Sequence, residues 1–136
     1  MSRNPGRPLS PHLTIWKWGP HMLVSILHRV TGTAMALGAA AILVWWLTAA
    51  AMGPQAYARF LDVFTVQSGR LNIVGALFGI GFTWTFFQHM FSGIRHLVLD
   101  TGAGYELRIN KIGSLLTIVG SIILTALIWA MILVRH

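Results

Sequence analysis

The sequence predicts an all-α membrane protein in which a single domain, residues 1–136, crosses the bilayer three times. Of its residues 55% are hydrophobic and 10% charged. A soluble domain carries about a quarter charged residues, so there is too little polar surface here to cover a water-soluble globule. The charges also avoid three stretches, residues 30–58, 71–94 and 112–134. Each is longer than the roughly 20 residues that cross a hydrocarbon core of about 30 Å. In that core every backbone amide needs a partner within its own segment, which selects helices. Segments such as ALGAAAILVWWLTAAAM, residues 36–52, lack the polar face that helices of a soluble bundle show.

The elements follow in order. Residues 1–20 read as an arm on the inner face, polar and interrupted by Pro5, Pro8 and Pro11. Pro20 suits the first turn of a helix, where its missing N–H would have no partner anyway. Helix 1 then covers about 21–52 and stops at Gly53-Pro54. Residues 53–70 form an outer loop, with Tyr57 and Phe60 on a short interfacial helix. Helix 2 covers about 71–99, the TGAG run at 101–104 makes an inner turn, and helix 3 covers about 112–134. Trp16, Trp18, Trp45, Trp46 and Trp129 fall near span ends, where aromatic rings anchor at headgroups. Neither an internal repeat nor a low-complexity segment divides the chain.

Net charge is +7, and its distribution sets an orientation. Arg3, Arg7, Lys17 and Arg29 precede helix 1, and Arg95, Arg108 and Lys111 lie between helices 2 and 3. Against them stand Arg59, Arg70 and Arg135. The positive-inside bias then puts the N-terminus in the cytoplasm and the C-terminus in the periplasm. The basic excess is topogenic and implies no nucleic-acid partner. The first apolar stretch is too long, and too far along, for a cleaved signal peptide. No Arg- and Ser-rich presequence precedes it, which favours a bacterial inner membrane. Cysteine is absent, so this chain offers no disulfide, thiolate metal site or iron–sulfur ligand. The three carboxylates, Asp62, Asp100 and Glu106, lie near loops, and no phosphate loop, triad or zinc motif is present. The chain is not expected to be an enzyme by itself.

The most informative polar position is His89, about six residues before Arg95 in an apolar run. At 1.5 Å per residue it sits roughly 9 Å inward of the arginine, a depth at which ionisable groups are costly and usually functional. A neutral imidazole can ligate iron through one nitrogen while the other donates a hydrogen bond. Gly93, one turn on, would admit a flat porphyrin edge. The same spacing suits a packing histidine bonded to a neighbouring helix. Ser25, His28 and Arg29 share one face of early helix 1 by their i, i+3, i+4 spacing. An arginine there can pair with a carboxylate such as a haem propionate, or bond a quinone carbonyl. It equally suits a snorkelling topogenic arginine. For a second imidazole ligand, none of His12, His21, His28 and His136 is well placed against His89, with His28 coming nearest. Three helices are also fewer than the four that usually enclose a haem. A second membrane chain is therefore expected to supply the opposite ligand.

RPLSPHLTIWKW (residues 7–18), SILHRVTG (25–32) and HMFSGIRHLVLD (89–100) resemble, in order and in register, the cytochrome b membrane-anchor subunit of succinate dehydrogenase. Trp16 stands where many members carry tyrosine. The resemblance implies three helices forming half of a heterodimeric haem-binding bundle. It implies His89 as axial ligand of haem b, with His28, Arg29 and Arg95 neighbouring the propionates. Ser25 and Arg29 would line a ubiquinone pocket, and His96 would lie at the inner surface. The implied partners are a flavoprotein subunit, an iron–sulfur subunit and a smaller second anchor subunit, and the implied activity is electron transfer from succinate oxidation to ubiquinone. A purely structural anchor predicts instead that His89 and Arg29 tolerate alanine. A transporter would show broken helices or polar residues near the midplane, whereas helices 1 and 3 show only Ser, Thr and Gly there.

Overall fold

The structure, a computed structural model, describes Gly6, residues 17–67 and residues 69–135. Pro5, Pro8, Pro11 and Trp16 of the expected arm lie outside the described residues. Three spans are present, as expected. The first, Pro20–Ala51, opens with Pro20 in its first turn after an extended Gly19. It changes winding midway, from α over Pro20–Thr33 to π over Ala34–Ala39 and back to α over Ala40–Ala51. The sequence predicts one uninterrupted α-helix here. The π segment is one wide turn set inside an α-helix, the form in which π winding usually occurs.

Gly53, at φ 100, ends the first span in a backbone region that glycine adopts at least cost. The interfacial helix Pro54–Phe64 follows and carries Tyr57 and Phe60. Phe60 is buried and meets the Trp45 ring edge-on at 4.9 Å between centres. Asn72 joins this helix to the next span: its Oδ1 accepts from Gly75 N–H at 2.8 Å, and its Nδ2 donates to the Val63 carbonyl at 2.9 Å.

The second span is Ile73–Asp100 and the third is Leu107–Arg135. Expected starts were 71 and 112. The second starts later because Asn72 is its cap. The third starts earlier because Gly102 and Gly104, both at positive φ, complete the turn, and Arg108 and Lys111 continue the helix beyond the hydrocarbon. A charge ends an apolar stretch without ending a helix.

The interior between the spans is small and polar. Thr31, Gln88, Ser92, Ser114, Thr117 and Ser121 are buried along with Val24, while most large aliphatic and aromatic side chains are exposed. Lipid is as apolar as leucine, so association relies on close backbone approach, and small residues permit it. The hydroxyls bring their own partners. Ser114 donates to the Asn110 carbonyl at 2.8 Å and Thr125 to that of Ser121 at 2.7 Å, the usual back-bond within a helix. Trp129 donates from Nε1 to Thr83 Oγ1 on the second span at 3.2 Å. Gly79 makes room for it: a Cβ there would fall 2.6 Å from the Trp129 ring.

Candidate functional site

The N-terminal half of the first span packs beside the C-terminal half of the second, and the two bring His28 against His89. The rings lie 4.0 Å apart between centres, with planes 8° from parallel. His89 Nδ1 is 3.0 Å from the His28 carbonyl oxygen. A carbonyl has no proton to give, so Nδ1–H is the donor. Gly32 seats the ring, since a Cβ there would stand 2.7 Å from His89 Cε1.

His28 is held from the opposite side, with its Nδ1 2.7 Å from Ser92 Oγ. The arrangement is reciprocal, because Thr31 Oγ1 on the first span lies 3.4 Å from His89 Nδ1. Each histidine thus meets the hydroxyl that follows the other histidine by three residues. A cleft of about 280 Å³ opens beside this pair. The first span contributes Ser25, His28 and Arg29, the second Ser92, Arg95 and His96, and the third Asn110. Ser25 and Arg29 are exposed. Arg95 donates from an Nη to Asn110 Oδ1, while its Nε is buried without a partner. His96 Nδ1 lies 3.4 Å from Asp100 Oδ1 at the exposed rim.

Of the residues expected at a site, Ser25, His28, Arg29 and Arg95 therefore line one cleft, and His89 lies against it under His28. His28, expected to come nearest to His89 among the other histidines without being well placed as a second ligand, stacks on its ring. Gly93 faces the His28 ring, whose Cε1 would be 3.6 Å from an added Cβ.

Sequence reasoning gave no role to Ser92, Thr31, Gly32 or Asn110. A signal for the first three was present: HRVTG (28–32) and HMFSG (89–93) repeat one pattern, histidine followed by a hydroxyl at +3 and glycine at +4. On a helix those positions share a face, so two such helices can exchange the contacts seen here.

Fold and site define a polytopic helical membrane protein that carries an imidazole–guanidinium site at one end of its bundle. Residues 3–128 match the family described as succinate dehydrogenase/fumarate reductase transmembrane subunit. The chain is 36% identical over 123 residues to the succinate dehydrogenase cytochrome b556 subunit of Rickettsia conorii, covering 90% of each. It is 34% identical over 121 residues to that of Paracoccus denitrificans, covering 89% of this chain and 88% of the relative. With the mitochondrial cytochrome b560 subunit of Sus scrofa it shares 38% over 98 residues, 72% of this chain and 55% of that one. The chain belongs to this family, among its succinate dehydrogenase cytochrome b members, and is a multi-pass inner-membrane protein.

Proposed function

We propose that this subunit binds haem b through His89 and ubiquinone beside Ser25 and Arg29, and passes electrons from succinate oxidation to the quinone. The observation that carries the reading is the bond from His89 Nδ1 to the His28 carbonyl. Iron-ligating histidines usually donate their second ring N–H in this way, which fixes the tautomer and orients the ring. When bound, a haem stores one electron inside the membrane at a potential tuned by its ligands and burial. Arg29 and Arg95, beside His28, would hold its propionates, since a guanidinium can bond a carboxylate bidentately.

The stacked rings of His28 and His89 point side by side and do not face each other across a metal. Side by side with His89, His28 would not serve as a second ligand, and a second, smaller anchor subunit would supply it. A flavoprotein and an iron–sulfur subunit complete the assembly on the inner side. The N-terminus is cytoplasmic and the C-terminus periplasmic, from the basic residues gathered at the inner ends. At the quinone, Arg29 stabilises negative charge developing on the ring oxygen. Arginine keeps its proton in proteins, so the protons come from another source.

The test is the visible spectrum of the complex, purified in lipid-retaining detergent, before and after succinate and then dithionite. A b-type band that grows with succinate is expected, and it should be missing from His89→Ala. An intact preparation without such a band would remove the ligand role of His89.

A further inference from the structure

Ser92 Oγ stands 2.7 Å from the Gln88 carbonyl oxygen, 3.0 Å from that of His89 and 2.7 Å from His28 Nδ1. A hydroxyl has one proton. Two oxygens 2.7 Å apart need a proton between them, and the carbonyl has none, so the hydroxyl proton points at the helix backbone. Nδ1, equally close on another side, must bring its own. We infer that Ser92 is a positioning residue that holds His28 as its Nδ1–H tautomer and so makes His28 Nε2 the hydrogen-bond acceptor of the cleft.

That assignment alters what the cleft recognises. Arg29 and Arg95 offer donors and no acceptor. With Nδ1 engaged by Ser92, Nε2 is the ring nitrogen left to accept. A ligand that complements both has one oxygen to accept from a guanidinium and one O–H to donate to Nε2. A hydroquinone has that pattern, and so does a quinone with a bridging water. An ionised carboxylate accepts on both oxygens, so it pairs with the arginines and finds no complement at Nε2. The choice of ligand rests on the quinone reading of the cleft; the tautomer does not. Ser92 acts through His28 and needs no contact with the ligand.

The tautomer is read by solid-state 15N spectroscopy of the histidine-labelled whole complex in lipid. Imidazole nitrogens that carry a proton resonate far from those that do not, and His28→Asn identifies the signals of His28. The expected wild-type pattern is protonated Nδ1 and bare Nε2. Ser92→Ala should move the tautomer ratio roughly 2- to 10-fold toward the Nε2–H form, the net worth of one hydrogen bond, and Ser92→Thr should restore it. Ser92→Cys, with a weak acceptor of nearly the same volume, should behave as Ser92→Ala and serves where the alanine variant does not assemble. A His28 already protonated at Nε2 in the wild type, or a ratio unmoved in both variants, overturns the inference whether or not haem is present. A shifted ratio in a complex without haem overturns the haem reading and leaves the tautomer standing.

Discussion

The His28 imidazole lies flat on the His89 imidazole, ring centres 4.0 Å apart, and each ring is pinned from the other's helix. His89 donates to the backbone carbonyl of His28 at 3.0 Å, and His28 is held by Ser92, one turn beyond His89, at 2.7 Å. Neither ring can turn without breaking a bond on the facing span. In an apolar bundle that matters more than in water, because no solvent is available to replace a lost partner.

Gly32→Ala should empty the haem site. The added methyl would stand 2.7 Å from His89 Cε1 and 3.2 Å from Nδ1, so the ring must swing and its bond to the His28 carbonyl is lost. Loss of such a supporting bond typically costs 10- to 100-fold in metal affinity. The ratio of extracted haem to protein in the purified complex checks this; a stoichiometric ratio would show that Gly32 does not seat the ligand.

His28 and His89 should respond differently to alanine, although they touch. His89→Ala should abolish the b-type band. His28→Ala should keep a band, because the donor to iron and the backbone carbonyl that orients it both remain, while ubiquinone reduction by succinate falls. Absorbance spectra and quinone-reductase rates of the two variants separate the roles. Loss of the band in both would make His28 indispensable for ligation.

The contrast between these two residues shows what was legible in the sequence. The three spans could be read from charge-free length alone, because hydrocarbon thickness fixes it. His89, Arg29 and Ser25 could be picked out because an ionisable or polar group inside such a span is costly. The stacking could not be read in this way. It depends on how closely two helices approach, and that is set by Gly32, Thr31 and Ser92, residues ordinary enough in a membrane helix to draw no notice singly. The π winding at Ala34–Ala39 was hidden for a similar reason, since small apolar residues carry no periodic signal.

Arg29→Ala should separate quinone chemistry from succinate oxidation. Arg29 lines the cleft with Ser25 and supplies fixed positive charge there. Removing one such donor costs on the order of 10²–10³ in rate where it stabilises developing charge. Succinate-dependent ubiquinone reduction should fall by about that factor, while reduction of a soluble dye by the flavoprotein is unchanged. Arg29→Lys should recover part of the rate, because a lysine keeps the charge but loses the planar fork. Equal loss of both activities would point to failed assembly and count against a quinone role.

Gln88→Met should cost little stability despite the burial of the glutamine. Gln88 is fully buried. Its Oε1 accepts from Ser121 Oγ at 2.8 Å, but its Nε2 has no partner. A half-satisfied amide gains from one bond and is penalised by one orphan donor, so an apolar group of similar shape can replace it at almost no net cost. Ser121 can turn its one hydroxyl proton wholly to the Ile118 carbonyl, 2.8 Å away, in the variant. Thermal inactivation of the complex should be within a few degrees of wild type; a large drop would show that Nε2 has a partner in the assembled complex, in water or in another chain.

Gly79→Val should be the most damaging change at the end of the bundle away from the cleft. A Cβ at position 79 would fall 2.6 Å from Trp129 Cζ2 and 2.7 Å from Cη2, in the middle of a rigid ring that has no flexible end to withdraw. Overpacking of this kind typically costs about 1–3 kcal/mol. Trp129→Phe alone removes the Nε1 bond to Thr83, and cross-helix bonds of this type average about 0.6 kcal/mol in membranes, so it should be mild. Trp129→Ala, placed in the Gly79→Val background, removes the ring that the valine strikes. The double variant should therefore be more stable than the sum of its two losses predicts, the non-additivity expected of residues in contact. Detergent-induced dissociation of the second and third spans, followed by tryptophan fluorescence in the single variants and by thermal inactivation in all, measures each term. Strict additivity would mean that Trp129 does not lie over Gly79.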